Sequence, residues 1–97
     1  MKTLTYNILI YSDPSHSWGK IKRSMLHSLG VAHEISAWSY SRNDYVYLEE
    51  DADLPLFVNA LERTGCKAIF KEKHSDKDSA IRSYKRYYFN QIRETTA

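Results

Sequence analysis

The 97-residue chain has few cysteines, prolines and glycines: one, two and three, respectively. The single Cys66 excludes a disulfide within the chain and a metal site made of cysteines alone, and it suits the reducing cytosol. No apolar run approaches the ~20 residues that a membrane-spanning helix needs. The first residues have a strand-like pattern rather than the apolar stretch of a signal peptide, so we expect a cytoplasmic protein without membrane contact.

Motifs that carry catalysis or hold cofactors are also missing. The chain has no glycine-rich phosphate loop and no Gly-x-Ser-x-Gly elbow. Its four histidines lack the spacing of metal ligands: His16, His27, His33 and His74. Cys66 follows a glycine and enters a predicted strand, which favours a buried structural thiol over a nucleophile. We therefore expect no enzymatic activity, no cofactor and no bound metal.

Charge is unevenly distributed along the chain, although the net charge is only +2. Residues 44–53 contain five acids and no base, whereas residues 81–93 contain four bases and no acid. A chain with this polarity can pair with a second copy of itself or present its basic part to a polyanion. The charge distribution is therefore compatible with a homodimer and with a nucleic-acid partner.

The predicted elements follow the order strand, helix, strand, strand, helix, strand. Alternating patterns predict strands at residues 3–11 and 45–48, with further strands at 34–40 and 67–73. Apolar residues at helical spacing predict the two helices: Trp18, Ile21, Met25, Leu26 and Leu29 in the first, and Leu54, Phe57, Val58 and Leu61 in the second. Gly30 and Gly65 are placed to end them.

This order predicts a ferredoxin-like βαββαβ sandwich, an α+β fold with two helices on one face of an antiparallel sheet. The predicted core spans residues 1–74, and residues 75–97 form a basic, tyrosine-rich tail of the same domain. Asp78 or Ser79 can cap a last helix in this tail. The helix would carry one stripe of apolar and aromatic residues: Ile81, Tyr84, Tyr88 and Ile92. The tail is thus predicted to be a C-terminal helix or an extended arm.

Two tyrosines of the third predicted strand are candidates for a binding face. Tyr45 and Tyr47 alternate with Val46 and Leu48, so the tyrosines point away from the helices if the aliphatic pair points toward them. Exposed aromatics on such a sheet stack nucleobases. There are two alternatives to this function. The last helix can cover the face, or the face can be an interface with a second copy of the chain or with another partner.

Basic residues accompany these tyrosines. They are Lys20 and Arg23 in the first predicted helix, and Arg82, Lys85 and Arg86 in the tail. Bases interleaved with tyrosines suit a surface that follows a nucleic-acid backbone, although solvated charge that keeps a small domain soluble is the alternative. No helix-turn-helix, zinc-finger or KH signature is present, so sequence-specific readout is not expected.

An acidic cluster ends one predicted strand and begins the second helix. Its members are Glu49, Glu50, Asp51 and Asp53. We expect Asp53 to cap the helix, where negative charge is favoured by the helix dipole. A magnesium or calcium site is the alternative, and a metal-dependent nuclease would combine Asp13 with Glu49 or Glu50. The predicted topology disfavours the nuclease because it places Asp13 nearer Asp44 than Glu50.

Two stretches carry a resemblance to other proteins: Tyr45-Val46-Tyr47-Leu48-Glu49-Glu50-Asp51-Ala52-Asp53, and Lys71-Glu72-Lys73-His74 with the later Ser79-Ala80-Ile81-Arg82-Ser83-Tyr84. Over residues 4 to 84 the chain resembles short proteins of bacteriophages and related mobile elements. The resemblance implies an accessory protein of a bacterial cytoplasm that binds nucleic acid or blocks a host system, and it implies no catalytic residue.

The sequence therefore predicts a small non-enzymatic accessory protein that binds nucleic acid through a surface of tyrosines and basic residues. The alternative is an interaction module that docks on a host protein, for example a defence component, and modulates it.

Overall fold

The computed structural model describes residues 4–89 and has an α+β fold, which confirms the predicted class. In chain order its elements are β1 (Leu4–Ser12), β2 (Ser17–Lys22), α1 (Arg23–Ser28), a 3-10 turn (Ala32–Glu34), β3 (Tyr40–Arg42), β4 (Tyr45–Glu49), α2 (Asp53–Arg63), β5 (Cys66–His74), a second 3-10 turn (Ala80–Ser83) and β6 (Lys85–Arg86). Within residues 4–89, neither helix is long and apolar enough to cross a membrane.

The six strands form one mixed sheet in the order β5-β1-β2-β4-β3-β6. Neighbouring strands are antiparallel except for β1 and β5, which pair in parallel over nine residues. The fully antiparallel sheet expected from the sequence is therefore wrong at this pair. Strands β4 and β5 run in the same direction, so the chain must cross over the sheet between them. Helix α2 makes this crossover.

The first predicted helix is the main error. Residues 17–22 form strand β2 between β1 and β4, and only Arg23–Ser28 are helical. The spacing of Trp18 and Ile21 fits one face of a helix, but it also fits the two sides of a strand. In the structure Trp18 packs on one side of the sheet and Ile21 on the other. Hydrogen bonds to two flanking strands outweigh the local helical pattern, since tertiary context overrides weak local preference.

The predicted second strand and last helix also differ from the structure. Residues 32–34 form a 3-10 turn and the strand covers only Tyr40–Arg42. In the tail, Ser79 caps a 3-10 turn through its Oγ, which accepts from the Ile81 N–H, and β6 then pairs with β3. Pairing with an open sheet edge replaces the helix over the described residues, and Ile92 of the expected stripe lies outside them.

The second half of the predicted core is confirmed. Strands β4 and β5 lie where the alternation placed them, and α2 runs from Asp53 to Arg63 with Pro55 in its first turn. Gly30 and Gly65 follow the helix ends with φ angles of 71° and 87°. These left-handed conformations are costly for residues that carry a Cβ, so glycine is required there.

Two packed layers flank the sheet. Both helices cover the same face, where Leu26 of α1 and Phe57 of α2 share a buried cluster with inward residues of the strands. The strand residues of this cluster are Ile8, Ile21, Val46 and Leu48. The other face carries a smaller cluster of Trp18, Tyr40, Tyr47 and Ile81. The side of β4 that bears Tyr45 and Tyr47 is therefore opposite the helices, as the alternation predicted.

Replacing Phe57 by alanine tests the helix layer. Phe57 is fully buried, so Phe57→Ala should lower the free energy of unfolding by about 3–5 kcal/mol through lost apolar contact and a cavity. The matched control is Asn59→Ala, an exposed position of the same helix, which should change it by less than about 0.5 kcal/mol. Urea titration measures both values, and equal losses would contradict the packing.

Candidate nucleic-acid interface

The sheet face opposite the helices gathers basic residues from four strands. Residues that are directly opposed in a sheet point to the same side, so the register identifies its members. Its cations are Lys67, Lys71 and Lys73 of β5, Lys20 and Lys22 of β2, Arg42 of β3 and Arg86 of β6. Its aromatics are Tyr11, Trp18, Tyr40, Tyr45 and Tyr47. Within strands β1 to β6, Glu49 is the only acid on this side, and we call it the basic aromatic face.

The two tyrosines predicted to stack bases have different environments. Tyr47 is 7% exposed because the Tyr84 ring lies 5.1 Å away and Ile81 packs beside it, and this burial raises the pKa of Tyr47. The tail thus covers the centre of the face, through a 3-10 turn rather than a helix. Tyr45 is half-buried, with the Lys20 Nζ 4.1 Å from its ring centroid. Tyr45 therefore remains accessible to a ligand and Tyr47 does not.

The predicted basic residues divide in the same way. Lys20 and Arg86 lie on the basic aromatic face, where the Arg86 guanidinium is 4.5 Å from the Tyr40 ring centroid. Lys85 precedes Arg86 in β6 and points to the other side. Arg23 begins α1, and its Nη2 donates to the Asn43 carbonyl at the turn between β3 and β4. Of the five predicted bases, Lys20 and Arg86 therefore share the basic aromatic face, and Lys85 and Arg23 do not. The fifth, Arg82, has a separate role.

Arg82 is held in a bidentate ion pair with Asp13. Its Nε lies 2.7 Å from Asp13 Oδ2 and its Nη2 lies 3.0 Å from Oδ1. The Asp13 side chain has no exposed surface and also accepts from the N–H groups of Ser15, His16 and Ser79. The Arg82 guanidinium, aided by these donors, holds the pKa of Asp13 well below its usual range. Arg82 therefore connects the tail to the turn between β1 and β2.

The strongest basic strip was missed by the sequence analysis. Strand β5 places Lys67, Lys71 and Lys73 on the basic aromatic face, and all three are exposed. Their odd-numbered spacing is visible in the sequence and indicates one side of a strand. Only the parallel register with β1, which aligns Leu9 with Lys71, shows that this side is shared with Lys20.

The acidic cluster has structural partners. Glu49 accepts from the N–H groups of Asp51, Ala52 and Asp53, so it satisfies the start of α2. Burial opposes ionisation of Glu49, but these three hydrogen bonds together lower its pKa. The predicted cap is therefore wrong, because Asp53 is already inside the helix. Its buried carboxylate instead accepts from the Oγ atoms of Ser36 and Ser39, the second at 2.6 Å.

The expected position of Asp13 relative to the cluster is also wrong. Asp13 and Glu50 line one cavity of about 340 Å³, whereas Asp44 lies at the other end of β4, where its carbonyl accepts from the Arg23 N–H. Strand β2 reverses the chain between β1 and β4, so β1 and β4 are parallel and their carboxyl ends share an edge. Over residues 4–89 no three potential ligands form a metal-binding group.

Acidification tests the Asp13 ion pair. The folded-state pKa of Asp13 is depressed, so its contribution to stability is full above its unfolded pKa of ~4 and declines as the pH falls below that value. At pH 7, Asp13→Asn should lower Tm by about 10 °C or more, because the donors and Arg82 lose their anion. The difference in Tm between Asp13→Asn and the parent protein should become smaller as the pH is lowered from about 5 to about 2, and thermal unfolding followed at several pH values in this range measures it.

The control for that series is Glu62→Gln, which makes the same chemical change on an exposed position of α2. It should leave Tm nearly unchanged at every pH. A pH-independent loss in Asp13→Asn would contradict an electrostatic role for the pair.

No protein-family model, curated protein or solved structure matches this chain. The geometry of the basic aromatic face and its surroundings is therefore the observation on which a function can be based.

Proposed function

We propose that this protein binds single-stranded nucleic acid through the basic aromatic face, without enzymatic activity. The observation that carries the proposal is the register, which places seven cations and a single acid of strands β1 to β6 on one side of the sheet. Cations spread over a sheet can contact successive phosphates, and each contact releases counterions. This supports affinity for a polyanion of any sequence.

Aromatic groups support a single strand over a duplex. Tyr45 and Tyr11 are both half-buried on this face, and the Lys20 ammonium lies over the Tyr45 ring, from which an incoming base would displace it. A base stacked on such a ring contributes ~1–3 kcal/mol and is sequence-tolerant, because every base has a π face. Paired bases of a duplex are stacked on one another and do not offer those faces to a flat sheet.

We also infer that the fold is a ferredoxin-like unit with one extra strand before it, inserted into its sheet, and a short edge strand after it. The run β2-α1-β3-β4-α2-β5 has the βαββαβ order. Without β1 and the short edge strand β6, the sheet order is β5-β2-β4-β3, with the last strand of this run beside its first and the third beside its second. In this arrangement the helix-free face is the one that RNA-recognition modules use for stacking, which supports the choice of face.

The proposed biological context is that of a phage-type accessory protein in a bacterial cytoplasm, following the resemblance of residues 4 to 84. A second candidate function is docking on a host protein. Strand β5 is at a sheet edge and exposes Ile69 (40%) and Phe70 (53%), and exposed apolar groups on an open edge favour partner strands. A second copy of the chain could use the same edge.

Charge removal from β5 tests the proposed function. Lys67→Ala/Lys71→Ala/Lys73→Ala should weaken binding of a labelled single-stranded oligonucleotide at least tenfold at low salt. It should also reduce the slope of log affinity against log salt by about 2, since three phosphate contacts each contribute ~0.7. Fluorescence anisotropy at several salt concentrations, with DNA and RNA in single- and double-stranded form, measures both quantities.

The matched control removes three cations away from the face: Arg63→Ala/Lys77→Ala/Lys85→Ala. These residues lie in α2, in the loop after β5 and on the other side of β6. The control should retain most of the affinity. Equal weakening in both triple variants would refute the face, and salt-insensitive recovery of one stoichiometric protein from nuclease-treated lysate would favour the docking function.

Stacking on Tyr45 is tested by a pair of substitutions. Tyr45→Phe keeps the ring and should bind as the parent does, whereas Tyr45→Leu should weaken single-strand binding about fivefold or more by removing the π face. The same anisotropy assay measures both variants. Equal affinities of the two variants would show that the ring does not stack on a base.

A further inference from the structure

Strand β5 is an edge of the sheet along its whole length. All nine of its residues pair in parallel with β1, and within residues 4–89 no other strand lies beside it. The backbone N–H and C=O groups of β5 that point away from β1 therefore have no strand partner among these residues. An edge of this kind is a template on which an extended segment of another molecule can add a strand.

The ladder with β1 shows which backbone groups of β5 point to the open side. Ser75, just after β5, donates its N–H to the carbonyl of Ser12, although the residue aligned with Ser12 is His74. In a parallel pair, a residue thus bonds to the neighbours of the residue aligned with it, and the direction alternates along the strand. The odd-numbered residues of β5 therefore bond to β1. The even-numbered residues, with Phe70 at their centre, direct their N–H and C=O groups outward.

The side chains along this edge differ between the two sides of the sheet. Three cations lie on the basic aromatic face: Lys67, Lys71 and Lys73. Among residues 4–89 none of these lysines forms an ion pair. On the helix side, Phe70 is aligned with the buried Ile8 but is itself 53% exposed. The edge therefore combines a row of uncompensated cations on one side with an accessible apolar ring on the other.

A second copy of the chain fits this edge poorly. In a symmetric dimer two β5 strands would pair antiparallel, and three registers give the longest overlap. A register centred on Ile69 opposes Lys67 with Lys71. One centred on Phe70 opposes Lys67 with Lys73, and one centred on Lys71 opposes that lysine with itself. Like charges directly opposite are destabilising, and the other sheet edge, β6, is also basic, so head-to-tail pairing of two copies is no better matched.

We propose that β5 binds an extended acidic segment of another protein, which adds a strand to the open edge of the sheet. Carboxylates of this segment oppose the three lysines, and an apolar side chain opposes Phe70. Opposite charges across a strand pair attract, so the lysines that disfavour a second copy favour this partner. The inference goes beyond the nucleic-acid function and specifies the chemistry of the second candidate function, docking on a protein.

Synthetic peptides test the added strand. Directly opposed residues share a side of the sheet, so Thr-Glu-Thr-Glu-Phe-Val-Thr-Glu-Thr matches β5 as an antiparallel strand and the reversed sequence matches it as a parallel strand. Both peptides carry a fluorescent label and are titrated by anisotropy at low salt. The better of the two should bind with a Kd below about 1 mM, and replacing its glutamates by lysines should abolish binding.

Two N-methylated forms of the better peptide separate strand pairing from charge attraction. Methyl groups on alternate residues block either the amides that face β5 or those that face away, with the same charge in both forms. The affinities of the two forms should differ at least about tenfold, because only one form keeps its hydrogen bonds to the edge. Equal affinities would overturn strand addition and leave only non-specific attraction between charges.

Substitution of Phe70 locates the binding on this edge. Phe70→Ala should weaken peptide binding about fivefold or more through lost apolar contact, and it should leave oligonucleotide binding unchanged because the ring lies on the helix side. The matched control is Tyr88→Ala, which removes a ring of similar exposure, 55%, beyond β6. This control should bind the peptide as the parent does, and equal weakening in the two variants would overturn the assignment to β5.

The outcomes separate this inference from the proposed function. Oligonucleotide binding without binding of either peptide overturns the acidic strand and leaves the nucleic-acid function standing. Peptide binding that distinguishes the methylated forms, without oligonucleotide affinity, supports the acidic strand and refutes the nucleic-acid function. A dimer in sedimentation experiments that dissociates in Phe70→Ala would assign the edge to a second copy and overturn the acidic partner.

Discussion

The buried carboxylate of Asp13 is the interaction on which the arrangement of this protein depends. One oxygen accepts from the N–H groups of Ser15 and His16 and closes the turn between β1 and β2. The other accepts from Ser79 and, together with the first, from Arg82. A single anion thus fixes the hairpin that inserts β2 into the sheet and anchors the tail that supplies β6.

Acids elsewhere in the chain are used in a similar way. Glu49 satisfies the first N–H groups of α2, and Asp53 binds the serines of the loop that carries Trp38. Carboxylates that are tied into backbone contacts are lost as partners for surface cations. The lysines of β2 and β5 therefore lie on a side of the sheet where negative charge is scarce among the strand residues, although the net charge is only +2.

The basic aromatic face combines a closed centre with an open periphery. Tyr84 and Ile81 bury Tyr47, while Tyr45 is half-buried and a cavity of about 500 Å³ lined by Trp38 and Tyr40 opens at the opposite end of the face. Because Ile81 and Tyr84 cover the centre of the face, the short tail packs in a cluster with the rings of Trp18 and Tyr40.

The sequence by itself determined the α+β class, the strands at β4 and β5, helix α2 and the left-handed glycines that follow both helices, because each depends on local periodicity or backbone conformation. It also placed Tyr45 and Tyr47 on the side away from the helices, since alternation is a property of one strand. Only the tertiary structure decided that residues 17–22 are a strand, because their apolar residues fit both periods and two neighbouring strands chose between them. The parallel register of β5 likewise decided which lysines share a face with Lys20, and the Asp13–Arg82 pair, 69 residues apart in sequence, decided where the tail lies. Pairings at such separation depend on how the strands are ordered, which no local pattern contains.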